Sequence, residues 1–221
     1  MRVINRPLIF LLVIILLFVR SVGWIPSVTY VSPAEDLRAI ANVGQLVLHV
    51  LVAKEARFAD LSALNGKRIA IGVKDSDNAV TARALLRVAG ISEKKTKLMT
   101  GDPEAAALDL LGDKVDALVL VAQLPNADVA SLMRTGNYKL LSARQSDDNK
   151  SAYVVTDWIK HKQYSGTDVV PTLSVPAVWV VRSSLSDELA DGLAKAVLRG
   201  GYSPPKAAQL WIDFGAWVKQ F

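Results

Sequence analysis

The sequence has 221 residues, of which 51% are hydrophobic and 21% charged, a balance typical of one or two folded domains and not of a disordered chain. It contains no cysteine and two histidines, which excludes disulfides, thiolate zinc sites, cysteine nucleophiles and multi-histidine metal centres. The net charge of +5 comes from lysines and arginines scattered among acids, so the sequence does not indicate nucleic-acid binding.

The first 25 residues have the layout of an export signal. Arg2 and Arg6 precede an unbroken apolar run over residues 8–19, which Arg20 ends. The run is shorter than the ~20 residues of a membrane-spanning helix, but adding residues 22–25 would allow a tilted anchor. We therefore expect residues 1–25 to be a signal peptide or a membrane anchor. The rest of the chain is then expected in the periplasm or elsewhere outside the cytoplasm, either released or held at the inner membrane.

Strands and helices are predicted to alternate through the middle of the chain. Residues 36–41 are interpreted as the end of a helix, and residues 45–53 as a strand in which His49 is a core residue. Further strands are predicted over 68–73, 97–100, 115–122 and 138–142, and helices over 79–89, 103–111 and 125–136. Short links between these elements indicate βαβ units and a parallel sheet with helices on both faces.

The last part of the chain is predicted to contain one extended segment and two helices. Pro171 and Pro176 interrupt the extended segment 169–181, which suits an edge strand or a segment that crosses between lobes. An amphipathic helix is predicted over 186–198. One face of a further helix, after residue 205, carries three aromatic side chains, Trp211, Phe214 and Trp217.

The sequence carries no catalytic motif. It lacks the G-x-S-x-G elbow, the P-loop, the G-x-G-x-x-G loop and the H-E-x-x-H metal motif. Its serine, histidine and aspartate residues show no spacing that links a nucleophile to a base. We therefore expect a protein that is not an enzyme and that holds no cofactor and no metal.

Polar residues follow two of the predicted strands where a ligand would be expected. Ser76, Asp77 and Asn78 lie between the strand 68–73 and the next helix. In parallel α/β sheets, ligands bind at the carboxyl ends of the strands, where the following helix presents free N–H groups. All three residues are also good N-caps, so a plain helix cap is the alternative interpretation. Gln123 follows another strand at the same edge and could orient a ligand there.

A series of segments resembles the TAXI-type solute-binding proteins of TRAP transporters. The segments are, in order, NGKRIAIG (65–72), TARALLRVAGI (81–91), DPEA (102–105), VDA (115–117), QLP (123–125), PTLSV (171–175) and residues 185–198. Each segment is short, but their order is specific, and the resemblance covers about residues 37–199. The chain departs from the family at Ser76-Asp77-Asn78, where the family has Ser-Gly-Thr. The carboxylate of Asp77 would oppose an acidic ligand unless it only caps the helix.

The resemblance implies an α/β fold of the type II periplasmic-binding-protein kind, with one doubly wound lobe and an incomplete second lobe. The family's first lobe opens with a strand and a glycine-rich ligand loop, which this chain lacks. Residues 26–66 and 170–221 therefore resemble a remnant of the first lobe. Residues 67–169 resemble the second solute-binding lobe.

The resemblance also implies a function. The chain is expected to be an extracytoplasmic subunit that captures a small, anionic organic solute, of the carboxylate or amino acid class, for a TRAP-type membrane permease. Thr172, on the segment that crosses between lobes, is then a further candidate ligand residue. Two alternatives remain open: a solute-binding protein of an ABC transporter, or a ligand-sensing domain of the same fold.

Overall fold

The computed structural model of the chain describes residues 22–26, 37–151 and 154–199. The predicted export run and the predicted helix after residue 205 lie outside these residues. The strands are β1 (Val22–Pro26), β2 (Leu37–Ala53), β3 (Arg68–Ala70), β4 (Lys97–Met99), β5 (Ala117–Ala122), β6 (Tyr138–Leu140), β7 (Val155–Ile159) and β8 (Val170–Arg182). The α-helices are α1 (Asp77–Val88), α2 (Pro103–Leu111), α3 (Ala127–Arg134) and α4 (Asp187–Arg199).

The described residues divide into two compact units. The larger unit contains residues 45–151 and 154–176, and the smaller unit contains residues 22–26, 37–44 and 177–199. Strand β2 passes from one unit to the other after Gly44, and β8 does so after Pro176. The sequence predicts a different division, into two ligand-binding lobes with boundaries at residues 66 and 170. That division stays a prediction.

The larger unit is built on a mixed sheet. Strands β4, β3 and β5 are parallel neighbours in that order, and β2 lies antiparallel beside β5. The other edge of β2 pairs with β6 and β8, and β8 also pairs with β7. Helix α1 leads from β3 out to β4, and α2 leads back past β3 to β5. Because such connections are right-handed, α1 and α2 lie on opposite faces of the sheet, which is the doubly wound arrangement.

One face of this sheet forms a core with α2 and α3. Leu51 of β2 and Leu118 of β5 are fully buried in one cluster with Leu110 of α2 and Met133 of α3. Each large side chain buried in this way contributes on the order of 2 kcal/mol to stability. The cluster therefore holds both helices, and their N-termini, in fixed positions on the sheet.

An ion pair fixes the ends of β3 and β5 that lie opposite the candidate site. Arg68 donates from Nε and Nη2 to the two carboxylate oxygens of Asp116, each at 3.0 Å. The backbone N–H of Arg68 also donates to Asp116 Oδ2 at 2.8 Å. These charge-assisted bonds lower the pKa of Asp116 and set the register in which the two parallel strands begin.

The smaller unit pairs segments from opposite ends of the described sequence. Strand β1 lies antiparallel to β8, with Val22 opposite Val181 and Pro26 opposite Ala177. Ile40, Ala41 and Val181 form its core with apolar residues of α4. The helix end predicted over 36–41 is wrong for residues 37–41, which belong to β2. Ile40 and Ala41 are buried in this core, and the strand extends well before residue 45.

Pro176 marks a change of partner along β8. Residues 170–174 pair with β7, and residues 177–181 pair with β1. Pro176 falls between these two ladders, at the last residue of the larger unit. The edge-strand interpretation of this proline-containing segment is wrong, because β8 has β2 on one side and β7 or β1 on the other. The segment does pass from the larger unit to the smaller one.

Candidate functional site

Three helices of the larger unit begin at the same edge of the sheet. Helices α1, α2 and α3 follow β3, β4 and β5, and because these strands are parallel, all three N-termini lie at their carboxyl ends. Each helix has a side-chain cap: Ser76 accepts from Ala79 N–H, Asp102 from Glu104 N–H, and Asn126 from the N–H groups of Asp128 and Val129. The positive ends of three helix dipoles therefore meet this edge.

Asn78 joins the carboxyl ends of β3 and β5. Its Nδ2 donates to the carbonyl oxygens of Ile71 at 2.8 Å and Val119 at 3.2 Å. Its Oδ1 accepts from the N–H of Val121 at 2.7 Å. The amide thus uses both N–H groups and its oxygen within the protein. Gly72 beside it has φ +88°, and a Cβ there would lie 2.8 Å from Asn78 Nδ2, so this close approach requires glycine.

Ser76 and Asp77 have different roles at the start of α1. The half-buried Ser76 is the N-cap, as the plain-cap interpretation predicts. Asp77 is the first residue of the helix, is exposed, and accepts no hydrogen bond from the residues that the structure describes. Its negative charge interacts favourably with the positive end of the helix dipole, and its carboxylate oxygens are exposed to a ligand.

Gln123 lies at the same edge, directly after β5. It is exposed, and within the described ranges its side chain forms no hydrogen bond. Val121, which Asn78 binds, is two residues earlier on the same strand. The structure therefore brings the loops of Ser76–Asn78 and Gln123 to one edge of the sheet, as the sequence predicts.

Thr172 differs from the other predicted site residues. It is 1% exposed, and its hydroxyl donates to the carbonyl oxygen of Leu48 at 2.5 Å. Its side chain is therefore engaged between β8 and β2 and is closed to solvent.

A cavity of about 380 Å³ opens between α2 and α3, a volume that suits a small ligand. Leu118 and Leu120 of β5, with Leu132 of α3, give it an apolar lining. Three carboxylates also line it, those of Asp102, Glu104 and Asp128. Sequence reasoning missed this cavity because it forms only where the two helices pack on β5.

A buried polar pair, His49 and Tyr164, contacts the loop 123–126 that follows β5. His49 on β2 is fully buried, as predicted for a core residue, and its Nε2 lies 2.9 Å from the hydroxyl of Tyr164. That hydroxyl accepts from the N–H of Asn126 at 2.9 Å. Burial lowers the pKa of His49 to about 4, although the nearby carbonyls of Val47 and Leu120 act in the opposite direction. No sequence pattern links Tyr164 to His49, so sequence reasoning missed it.

The described residues contain neither a cluster of metal ligands nor a helix that could cross a membrane. Across residues 22–26, 37–151 and 154–199, no group of three histidine, aspartate or glutamate side chains is placed to hold a metal ion. Within those ranges, every helix is too short or too polar to cross a membrane.

A model of the NMT1-like family matches residues 24–201. The chain belongs to the NMT1-like family. Among solved structures, this NMT1-like chain is similar to XAC2383 from Xanthomonas citri bound to ATP, with a TM-score of 0.57 and 13% identity over 90% of this chain and 78% of that one. It is also similar to holo ArgBP from T. maritima, with a TM-score of 0.45 and 15% identity over 84% of this chain and 62% of that one.

The periplasmic VFT2 domain of Bordetella pertussis BvgS is a further similar structure, with a TM-score of 0.47 and 15% identity. That likeness covers 89% of the NMT1-like chain and 65% of the BvgS chain. The NMT1-like chain thus spans less than two thirds of the ArgBP and BvgS chains. The predicted fold class, a periplasmic-binding-protein-like α/β fold with one doubly wound lobe and an incomplete second lobe, is confirmed.

Proposed function

We propose that this NMT1-like chain is the solute-binding subunit of a TRAP-type transporter and acts outside the cytoplasm. It binds a small organic solute of the carboxylate or amino acid class and does not change it chemically. The observation that carries the proposal is the meeting of three helix N-termini at one sheet edge, beside the exposed Gln123. Backbone N–H groups at helix N-termini favour a carboxylate, and the exposed amide of Gln123 can both donate to a ligand and accept from it.

Each site residue has a distinct role in this proposal. Ser76 and the N–H groups at the start of α1 contact the solute, and Gln123 orients it. Asn78 and Thr172 support the site from behind, since their polar atoms are already bonded to the sheet. Asp77 selects between solutes, because its free carboxylate repels an anion and attracts an ammonium group.

The transport role adds a membrane partner. In this proposal the TRAP permease receives the solute, and residues 1–25 export the chain or anchor it at the inner membrane. Co-purification of the full-length chain with candidate permeases would test the partner. Capture by an ABC permease and by no TRAP permease would reject the TRAP assignment.

Binding is tested by thermal denaturation of the chain against a panel of carboxylates and amino acids. ATP is included because a structurally similar protein binds it. A true ligand at 100 times its Kd stabilises the folded state by about 2.7 kcal/mol. The variant Gln123→Ala should lose most of this stabilisation. Gln145→Ala is not a suitable control, because the Gln145 side chain forms hydrogen bonds with the backbone of Val154 and Ser151. Asn137→Ala, at an exposed turn, is the better control, and equal effects of the two variants would reject the site.

A further inference from the structure

A chain of hydrogen bonds connects the buried His49 to the second loop of the site. His49 Nε2 and the Tyr164 hydroxyl are 2.9 Å apart, and the same hydroxyl accepts from Asn126 N–H at 2.9 Å. Asn126 ends the segment that begins with Gln123, and its side chain caps α3. All of these residues lie in the larger unit. The Tyr164 hydroxyl therefore holds the loop 123–126 through Asn126, and His49 holds the Tyr164 hydroxyl in turn.

The protons of this chain can be assigned from its bonds. A tyrosine hydroxyl has one proton to donate, and since Tyr164 accepts from Asn126, that proton is free to be donated to His49. In the arrangement that gives this proton an acceptor, His49 Nε2 accepts it, which places the single proton of the neutral ring on Nδ1. Nδ1 has no hydrogen-bond partner in the part of the chain that the structure describes.

Few groups act on the ring of His49. Leu120 of β5 lies opposite it in the sheet, the carbonyls of Val47 and Leu120 are near it, and Tyr164 meets it edge-on with ring centroids 5.6 Å apart. Of these, Tyr164 is titratable, and burial raises its pKa above the usual value near 10. Among the described residues no charged side chain forms an ion pair or hydrogen bond with His49, so nothing nearby would neutralise an imidazolium.

We propose that His49 and Tyr164 form a latch, controlled by one proton, that holds the loop 123–126 in place. With neutral His49, Tyr164 donates to Nε2 and keeps Asn126 N–H bound. A proton from solvent that binds Nε2 turns this nitrogen into a donor, and the Tyr164 hydroxyl proton then has no acceptor. To accept from Nε2–H, the hydroxyl must turn its own proton out of this bond, and the buried imidazolium has no charged partner among the described residues. Both costs favour separation of the pair and release of Asn126 N–H.

The latch has a consequence for ligand binding that rests on the proposed function. Gln123 lies three residues before Asn126, and Asp128 of the capped helix lines the cavity between α2 and α3. Release of the loop displaces the group that orients the solute. Acid therefore weakens solute binding through a histidine that does not touch the solute, which makes His49 and Tyr164 positioning residues.

Amide hydrogen exchange in the full chain, followed by NMR, tests the latch without any ligand. The protection factor of the Asn126 amide should fall by at least about tenfold between about pH 7 and about pH 4.5. The amide of Gly112, which bonds Leu108 at the end of α2, is the internal control and should keep its protection. Parallel loss at Asn126 and Gly112 would mean global unfolding and would overturn the proposal.

Three variants separate the latch from a general packing effect. Tyr164→Phe keeps the ring but removes the acceptor, so Asn126 should be unprotected at both pH values. His49→Gln can still accept from Tyr164 but does not titrate, so Asn126 should stay protected at both. His161→Gln, at an exposed position, should behave as the wild type. An unchanged pH dependence in His49→Gln overturns the latch, and it does so even if Tyr164→Phe fails to fold.

The same measurements distinguish this inference from the proposed function. Exchange that responds to pH in a protein that binds none of the tested solutes rejects the proposed function and supports the latch. Exchange that ignores pH in a protein that binds a solute overturns the latch and supports the function.

Discussion

Burial of a neutral imidazole makes the stability of the fold depend on pH. The pKa of His49 is about 4 in the folded chain against 6.5 when unfolded, so its contribution is fully present above pH 6.5. It is lost as the pH falls from 6.5 to 4, because the unfolded chain binds the proton first. The total is on the order of 3 kcal/mol.

Urea denaturation at a series of pH values measures this loss. His49→Gln should remove the dependence between pH 6.5 and 4, whereas His161→Gln should leave it. Asp116 and Asp147 do not interfere in this window, since ion pairing holds each pKa below its usual 3.8 and their contributions are lost only at lower pH. A flat profile in the wild-type protein would contradict the burial argument.

Asp77 provides a second test at the scale of one residue. Its free carboxylate at the start of α1 repels an anionic solute, so Asp77→Asn should tighten binding of a carboxylate about two- to fivefold. Asp148→Asn removes the same charge from an exposed turn and is the matched control. Calorimetric titration measures both. Weaker binding in Asp77→Asn would show that this carboxylate contacts a positive group of the solute.

At the scale of the elements, the contact between Gly72 and Asn78 fixes how closely α1 approaches β3. Gly72→Ala should destabilise the fold by several kcal/mol, from its positive φ and from the close Cβ contact with Asn78. Gly136→Ala is the matched control, because Gly136 also has a positive φ but no atom lies within 4 Å of the added Cβ. Chemical denaturation compares them.

A double mutant isolates the contact itself. Asn78→Ala removes the crowding atom, so Gly72→Ala should cost much less in the Asn78→Ala background than in the wild type. Additive effects of the two substitutions would show that the positive φ alone accounts for the cost at Gly72.

Local signals explain which elements could be predicted. The caps Ser76, Asp102 and Asn126 act over two or three residues, so the sequence placed α1 and α2 to within two residues. The helix predicted from Pro125 begins at Ala127 because Asn126 is its cap. Strand β7 has no strong alternation and was missed, since its pairing with β8 defines it. Thr172 is a candidate because the sequence predicts that its segment crosses between lobes, but no local signal reveals its bond to Leu48.

At the scale of the whole molecule, export is the prediction with the widest consequence. A fusion of residues 1–40 to a reporter that is active only outside the cytoplasm should be active. Replacing Arg2 and Arg6 by Gln should reduce that activity, because the positive charge before the apolar run orients the segment. Replacing Lys54 in a longer fusion of residues 1–60 is the control. A fusion that stays inactive in the cytosol would contradict export.

The pairing of β1 with β8 also sets an order in time. A chain emerges from its N-terminus, so β1 is available long before residues 177–181, its partner. Arg38 and Asp187, which pair at 2.6 Å in the same unit, are separated by 149 positions. Contacts this distant in sequence form slowly. The smaller unit therefore completes only after α4 has emerged, and until then its apolar residues stay exposed, which makes this stage prone to aggregation.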